Sequence, residues 1–402
     1  MNTEKLMPYG QLGLIGMRGC EDLTGRIDSY LTRWRAESHP VGQLAMEDAP
    51  VAGPGLFHVK AVCPRFNTGE GKALIRQSVR GYDLYIVADM FNYGVTYSMY
   101  NMERPMSPDD HFQDLKRIIA AAGGKARRIT VIMPMLYEGR QHRRFARESL
   151  DCALALQELV SMGVENIITF DAHDSRVQNA VPLSGFENIR PTYQMLKALF
   201  KAFPDFIVDP SRLMIVSPDE GAMTRSIYYS SVLGVELGMF YKRRDYTRLV
   251  HGRNPIVKHE FLGDNVAGRD VIVVDDMISS GDSILSIAQM LRELGARRVI
   301  VFATYGLFTE GLARFDEAYE QGVLSKVFTT NLVYRPDGLR DKPWYHEVDM
   351  AKYISYIIET LNYDSSISDL LEPSARIHTL LERKRREQRT APQEGQETLF
   401  PV

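Results

Sequence analysis

The stretch VIVVDDMISSGDSILSIAQMLRELGA, residues 271–296, decides how the chain is read. Val271 to Val274 make an apolar run of strand length that ends on two adjacent acids, Asp275 and Asp276. From Ile284 the apolar positions Ile284, Ile287, Ala288, Leu291 and Leu294 follow a helical period, Gly295 stops the run, and VIVFATYG at 299–306 starts a second strand. The pattern predicts a βαβ unit whose strand and helix are joined by Ser279, Ser280, Gly281, Asp282 and Ser283. A helix beginning near Ser283 leaves its first backbone N–H groups without partners, so this loop has amides and hydroxyls to offer a phosphate. Two carboxylates at the strand end repel a phosphate, yet they accept hydrogen bonds from the hydroxyls of a sugar that carries one. The same residues also suit an ordinary α/β turn in which Asp and Ser merely cap a helix.

Outward from this unit, helix and strand patterns alternate. HFQDLKRIIAAAGG at 111–124, RITVIMPML at 128–136, RESLDCALALQELVSMG at 147–163 and NIITFDAH at 166–173 have the rhythm of a parallel sheet, as do LGLIGMRG at 12–19 and the amphipathic EDLTGRIDSYLTRWR at 21–35. The theme repeats from Arg190: a helix over Thr192 to Phe203, strands at LMIVSP and GMFYK, the βαβ unit, and a strand at VFTTNLV. The fold class is therefore α/β in two similar halves. In open sheets ligands gather beyond the carboxyl ends of the strands, where His173, Asp219, Lys242 and Asp275 all fall. Residues 36–57, rich in Pro, Gly and Ala, read as a loop, and the aromatic tract from Tyr93 to Glu103 as a locally packed insertion. The last fifteen or so residues, polar with Pro and Gly, read as a flexible tail.

A chain of 402 residues with 45% hydrophobic and 25% charged residues has room for two or three domains with a substantial core. A net charge of −3 gives no field to hold nucleic acid or an anionic membrane, so neither is an expected partner. No stretch approaches the ~20 apolar residues of a membrane helix, and the amino terminus carries no cleavable pattern. Cys20, Cys63 and Cys152 are too few and scattered for a disulfide framework or a zinc cluster, which suits a reducing, cytoplasmic location.

The 275–283 loop resembles the phosphoribosyl-pyrophosphate loop of phosphoribosyltransferases and of ribose-phosphate pyrophosphokinase, also called phosphoribosyl-pyrophosphate synthetase. Other segments resemble the second family alone. VSPDEGAMTRS at 216–226 and FYKRRDYTR at 240–248 are similar to its pyrophosphate-loop Asp and its Lys-Arg strand, and IITFDAHDSRVQNAV at 167–181 is similar to its Asp-x-His segment. MLYEGRQHRR at 135–144 is similar to its Arg-Gln-x-Arg segment, RFNTGEGKALIRQSVRGYDLYIV at 65–87 to its Phe-x-x-Gly-Glu strand and Val-Arg-Gly, and LNYDSSISDLL at 361–371 to its carboxyl-terminal helix ending. These pieces lie in family order over most of the chain.

The resemblance implies two tandem phosphoribosyltransferase-like domains, each a mostly parallel sheet flanked by helices. It places an ATP-side domain at 1–189 joined by a helix at 350–385, a sugar-phosphate domain at 190–349, and a tail at 386–402. It implies transfer of the β,γ-diphosphoryl group of ATP to the 1-hydroxyl of ribose 5-phosphate, with magnesium, in a homo-oligomer built from dimers, a hexamer among the sizes open. Carried over by motif, Lys242 and Arg244 are the catalytic cations on a strand that enters a lid-like segment, DYTRLVHGRNPIVKHEFLGD. Phe66, Thr68, Glu70, Arg140, Gln141, Arg143 and His173 hold ATP, with Phe66 and Glu70 framing adenine, often across a subunit boundary in relatives. Asp275, Asp276, Ser279, Ser280, Gly281, Asp282 and Ser283 hold the sugar phosphate. His173 and Asp219 meet magnesium, and Asp171 orients the imidazole or caps its strand. The chain departs from the family pattern at Thr68 and His142, where acids are usual, and at Asp282, which sets a negative charge beside the phosphate unless it turns away. That departure keeps a non-catalytic regulatory paralogue open beside the enzyme, with a phosphoribosyltransferase as a further alternative.

Overall fold

The computed structural model describes residues 7–37, 56–244 and 256–390, for 242–244, 256–259 and 389–390 the backbone only. The first half runs β1 (Gln11–Gly16), α1 (Glu21–Ala36), β2 (Ala61–Val62), β3 (Leu74–Ile75), β4 (Tyr82–Val87), β5 (Thr96–Met99), β6 (Met102–Pro105), α2 (Pro108–Ala122), β7 (Arg128–Ile132), α3 (Asp151–Ser161), β8 (Asn166–Phe170) and β9 (Gly185–Ile189). The second runs α4 (Thr192–Ala202), β10 (Leu213–Ser217), α5 (Met223–Leu233), β11 (Glu236–Arg244), β12 (Ile256–Leu262), β13 (Asp270–Ile278), α6 (Asp282–Glu293), β14 (Arg298–Gly306), α7 (Ala313–Glu320), β15 (Lys326–Thr330), β16 (Tyr345–Val348) and the helices α8 (Ala351–Asn362), α9 (Ser368–Leu371) and α10 (Ser374–Thr390).

Each half builds one large sheet. The first has the order β1-β4-β7-β8-β9, parallel throughout; the second has the order β12-β11-β10-β13-β14-β15-β16, parallel except for the edge pair β11–β12. Continuous burial along β7, β10 and β14 explains why these strands read as unbroken apolar runs: both faces are covered. The outer faces carry separate cores under α2 and α3 and under α6 and α7. The inner faces share a single core, in which Leu14, Tyr85 and Phe170 of the first sheet join Ile215, Ile272, Phe302 and Phe328 of the second through α1, α4, α5 and α8.

Local sequence sets the element boundaries. Ser107 and Asp110 close a capping box at the start of α2, with Pro108 in the first turn. α6 opens at Asp282, one residue earlier than the pattern suggests, behind Gly281 at φ 94°. A Cβ there would lie 2.5 Å from the Phe315 ring, so only glycine fits both the dihedral and the space.

The structure differs from expectation in four places. Residues 66–70 form a tight turn between β2 and β3, closed by Phe66 N–H donating to the Glu70 carbonyl at 2.7 Å, and are not part of a strand. Residues 96–105 are the β5–β6 hairpin, with Tyr100 and Asn101 at positive φ in its turn. The part of the lid-like segment at 256–262 is the edge strand β12, and 245–255 lies outside the described residues. α10 continues to Thr390, past the boundary at 385, because Ile377, Leu380 and Leu381 bury an apolar stripe while Lys384 donates to the Pro204 carbonyl at 2.6 Å. Most of the loop read at 36–57 and the tail beyond 390 also lie outside the described residues.

A buried charge network fastens the carboxyl-terminal helices to the first sheet. The Asp83 carboxylate, fully enclosed, accepts from Arg128 at 2.8 and 2.7 Å and from Asn362 at 2.8 Å, and Arg128 also reaches Asp364 and the Leu361 carbonyl. Removing one partner of such a pair strands the other without water. Asp83→Ala is expected to destabilise the fold by about 3–5 kcal/mol in chemical denaturation, and a loss well under 1 kcal/mol would show that the network is not structural.

Candidate active site

The carboxyl ends of the two sheets face a common crevice. One cavity of about 150 Å³ is lined by Arg140, Phe170, Asp171, His173, Asp276 and Tyr305, among others. A second, of about 390 Å³, adjoins it at Asp171, Ala172 and His173 and is lined by Arg143, Arg176, Arg190, Gly221 and Arg225. Side chains from β8, β13, β14, α5 and the loop after β7 therefore meet in one place.

His173 follows β8, and its Nδ1 lies 2.6 Å from Oδ2 of Asp276 at the end of β13. The hydrogen bond to Asp276 pushes the imidazole pKa up against the opposing effect of burial. Burial alone pushes the Asp276 carboxyl up as well, but the hydrogen bond from His173 and the charge of Arg225 reverse this and hold it at about 2. Asp275 has the opposite balance: burial and the neighbouring Asp276 charge raise its pKa, and Arg225 only partly offsets them. One acid of the pair is thus kept ionised while its neighbour lacks full charge compensation, the situation that two donating hydroxyls or a cation would relieve.

Asp171 does not orient His173; Asp276 does. Asp171 instead accepts from Arg225 Nε at 2.8 and 2.7 Å and from Thr304 at 2.6 Å, an arrangement reached at φ 43°. Arg225 is buried against three acids, whose charges outweigh the desolvation cost and raise its pKa further. Tyr305 of β14 closes the seam by donating to the Pro134 carbonyl at 2.6 Å and to that of Phe170. These contacts bind the carboxyl end of the first sheet to that of the second.

The other sequence-derived residues are distributed as follows. Arg140, Gln141 and Arg143 are exposed in the loop after β7, with Arg140 on the smaller cavity and Arg143 on the larger. Asp219 follows β10, where its Oδ1 accepts the amides of Gly221 and Ala222 at 3.0 and 3.3 Å, and its charge adds to that felt by Asp275. Ser279 to Ser283 link β13 to α6. Asp282 does turn away: it pairs with Arg314 of α7 and accepts from Ser280 at 2.9 Å. Met239 of β11 pairs with Ser217 of β10, so the backbone at Lys242 and Arg244 lies on the continuation of β11 beyond the carboxyl end of β10; their side chains lie outside the described residues. Phe66, Thr68 and Glu70 line neither cavity. They sit on the β2–β3 turn, where Thr68 donates to Glu70 at 2.9 Å and Phe66 is 53% exposed.

Arg225, Thr304 and Tyr305 were not singled out from the sequence. Arg225 lies inside the 216–226 segment, and a lone basic residue one turn into the helix after an acidic loop was the available signal. Thr304 and Tyr305 had none, being ordinary members of a buried strand.

The family model described as the N-terminal domain of ribose phosphate pyrophosphokinase matches residues 12–163, and that of the phosphoribosyl transferase domain matches residues 193–325. Among relatives, the ribose-phosphate pyrophosphokinase of Streptomyces coelicolor is 29% identical over 336 residues, 83% of this chain and 94% of that protein. That of Mycoplasma pneumoniae is 29% identical over 306 residues, 75% of this chain and 85% of that protein. That of Ureaplasma parvum is 31% identical over 218 residues, 53% of this chain and 62% of that protein. The crystal structure of phosphoribosylpyrophosphate synthetase from Mycobacterium smegmatis shares the fold, with a TM-score of 0.69 at 21% identity over 88% of this chain and all of that one.

The His173–Asp276 contact has a direct electrostatic test. Because its folded pKa is raised, His173 stabilises the fold fully below its unfolded pKa of about 6.5 and loses that contribution as pH rises through the folded value. In Asp276→Asn the imidazole pKa should fall to about 6.5 or lower by NMR titration, and an unchanged value would remove the ion pair from the site.

Proposed function

Because the chain belongs to the ribose-phosphate pyrophosphokinase family, we propose that it transfers the β,γ-diphosphoryl group of ATP to the 1-hydroxyl of ribose 5-phosphate, giving phosphoribosyl pyrophosphate and AMP. The observation that carries this reading for this chain is the joining of the Asp275–Asp276 end of β13, through His173, to an arginine-lined cavity large enough for phosphates.

The sugar oxygen attacks the β-phosphorus as the bond to the α-phosphate oxygen breaks, so in-line placement and charge neutralisation are the protein's main tasks. Arg140, Arg143 and Arg190 supply cations on the walls, and the raised pKa of His173 makes it a further donor to phosphate oxygen. Lys242 and Arg244 are the proposed catalytic cations, the ammonium as a point charge at developing negative charge and the guanidinium as a planar fork. At the sugar end, Asp275 and Asp276 accept from ribose hydroxyls, and the amides and hydroxyls of 279–283 receive the 5-phosphate. The diversion of Asp282 to Arg314 removes the objection that its charge raised, and nothing in the site favours a regulatory paralogue.

Magnesium fits the donor set. Among the described residues no three-membered His, Cys, Asp and Glu group forms a closed metal cage, and magnesium, which keeps waters and takes substrate phosphates, needs no such cage. Asp219 would be the main protein ligand, beside the under-compensated Asp275. His173, with its Nδ1 taken by Asp276 and its other N–H turned to phosphate, would stand beside the ion and meet it only through the phosphate it donates to. Bound there, the ion would neutralise charge on the diphosphate being transferred.

Adenine remains to be placed. Phe66, Thr68 and Glu70 lie off the crevice on an exposed turn, with Phe66 half-exposed beneath Lys72, which supports a dimer-based homo-oligomer in which this turn serves a neighbouring copy. The buried thiols Cys20 and Cys152 and the absence of a long apolar helix among the described residues suit a cytoplasmic enzyme.

With magnesium, ATP and ribose 5-phosphate, purified protein should release AMP only when the sugar is present; AMP release indifferent to the sugar would overturn the reading. Lys242→Ala should cut turnover by about 10²–10³-fold with little change in nucleotide affinity, and unaltered turnover would withdraw its role. Arg314→Ala, which frees the Asp282 charge beside the phosphate loop, should raise KM for ribose 5-phosphate several-fold, roughly, at low salt and less at high salt; a salt-independent KM would show that Asp282 is electrostatically silent.

A further inference from the structure

The β5–β6 hairpin stands apart from both large sheets as a two-stranded ladder of its own, and its outer strand, Met102–Pro105, is exposed throughout. A lone hairpin of this size is marginal in water and needs something to rest on. Among the described residues neither of its strands lines the crevice cavities, although the chain on either side does, at Phe91 and Pro108. The inner strand and the tip meet the 66–70 turn. The Tyr100 amide donates to the Asn67 carbonyl at 3.0 Å. Met99 packs on Gly69, which stands at φ 92° and where a Cβ would come within 2.6 Å of the Met99 sulfur. The Tyr97 ring lies against the guanidinium of Arg65, 5.1 Å from its centre.

The foot of the turn is clamped from the other side. Arg65 donates to both carboxylate oxygens of Asp114 on α2, at 2.8 and 3.0 Å, and Arg117 reaches the same carboxylate at 2.7 Å. Tyr97 donates to Asp110 of that helix at 3.4 Å. Arg65 is thus wedged between the hairpin and α2. The turn closes on two backbone bonds of its own, Phe66 to Glu70 and Gly69 to Phe66, and an exposed turn with so few bonds opens readily unless something packs on it. Here Asn67 is tied to the hairpin through the backbone and Gly69 through Met99. Phe66, Thr68 and Glu70, the residues assigned to ATP, are left exposed.

We infer that the hairpin is a positioning element for the base-binding turn: through Met99, Tyr97 and the Tyr100 amide it holds residues 65–70 in one shape before the nucleotide arrives. Ordering the turn during folding removes that cost from binding, so Phe66 and Glu70 meet the base already oriented. Met99 and Tyr97 are positioning residues, since they act through the turn. The inference rests on the reading that Phe66 and Glu70 frame adenine, and the experiment separates the two.

Amide hydrogen exchange of the nucleotide-free, full-length protein reads the brace directly. Met99→Ala should speed exchange at Phe66, Gly69 and Tyr100 about tenfold with the rest of the chain unchanged, and the volume-conserving Met99→Leu should restore the original rate. In calorimetric titration with magnesium and α,β-methylene ATP, Met99→Ala should weaken binding about fivefold and narrow the preference for this analogue over GTP, a change in base selectivity that a merely looser fold does not produce. Phe66→Ala is the control for the turn itself and should weaken analogue binding about tenfold, the loss of one stacking contact. If Phe66→Ala binds the analogue as well as the unaltered chain does, the turn does not hold the base and the inference falls with that reading. If Phe66→Ala weakens binding while Met99→Ala leaves affinity and selectivity unchanged, whether or not exchange quickens, the positioning role alone is overturned.

Discussion

The architecture turns on a short polar seam between the carboxyl ends of two parallel sheets. Arg225 and Thr304 reach Asp171, His173 reaches Asp276, and Tyr305 reaches the backbone of Pro134 and Phe170. Each contact crosses from one half of the chain to the other, and those of Thr304 and Tyr305 are shielded from water, where a polar group left without its partner is costly. The shared apolar core brings the halves together without fixing their angular relation closely; directional bonds at the rim fix it, and with it the distance between the arginine-lined cavity and the end of β13.

The same seam sets the electrostatics. A cavity that carries positive charge in a protein of net charge −3 has to gather that charge locally. Arg140, Arg143, Arg190 and Arg225 do so on one side, while the acids Asp171 and Asp276 are committed to internal partners. Asp282, the acid most at odds with phosphate binding, is neutralised outside the loop by Arg314. The division is by direction: cations face the space and most acids face the protein.

Much of this was legible in the sequence because it is local. The 271–306 βαβ unit, the repeat of strand and helix in each half, and the convergence of His173, Asp219 and Asp275 at strand ends all follow from periodicity and from the rule that open sheets bind ligands at their carboxyl ends. What was not legible depends on partners far along the chain. Asp276, 103 positions away, holds His173 in place of Asp171 because Asp171 is taken by Arg225 and Thr304. Thr304 and Tyr305 look like plain strand residues until the carboxyl end of β14 meets Asp171, Pro134 and Phe170 of the first half. The turn at 66–70 was read as strand from the resemblance of its Phe-x-x-Gly-Glu pattern, whereas the Phe66–Glu70 and Gly69–Phe66 backbone bonds fold it back on itself. The extension of α10 to Thr390 was hidden by its charges, since only a thin stripe, Ile377, Leu380 and Leu381, is apolar.

The weave of the two chain ends has a consequence for biosynthesis. Tyr9 donates to the Asn362 carbonyl at 2.7 Å, Asn362 donates back to Gly10 at 3.2 Å, and the Asp83 and Arg128 charges are satisfied only once Asn362, Leu361 and Asp364 are in place. During translation the first sheet therefore emerges with a lone buried ion pair short of ligands and with the inner apolar face of α1 bare, and it waits for some 170 further residues, roughly ten to thirty seconds at ordinary elongation rates. Until α8 has left the ribosome, the amino-terminal half therefore lacks the partners that complete its fold.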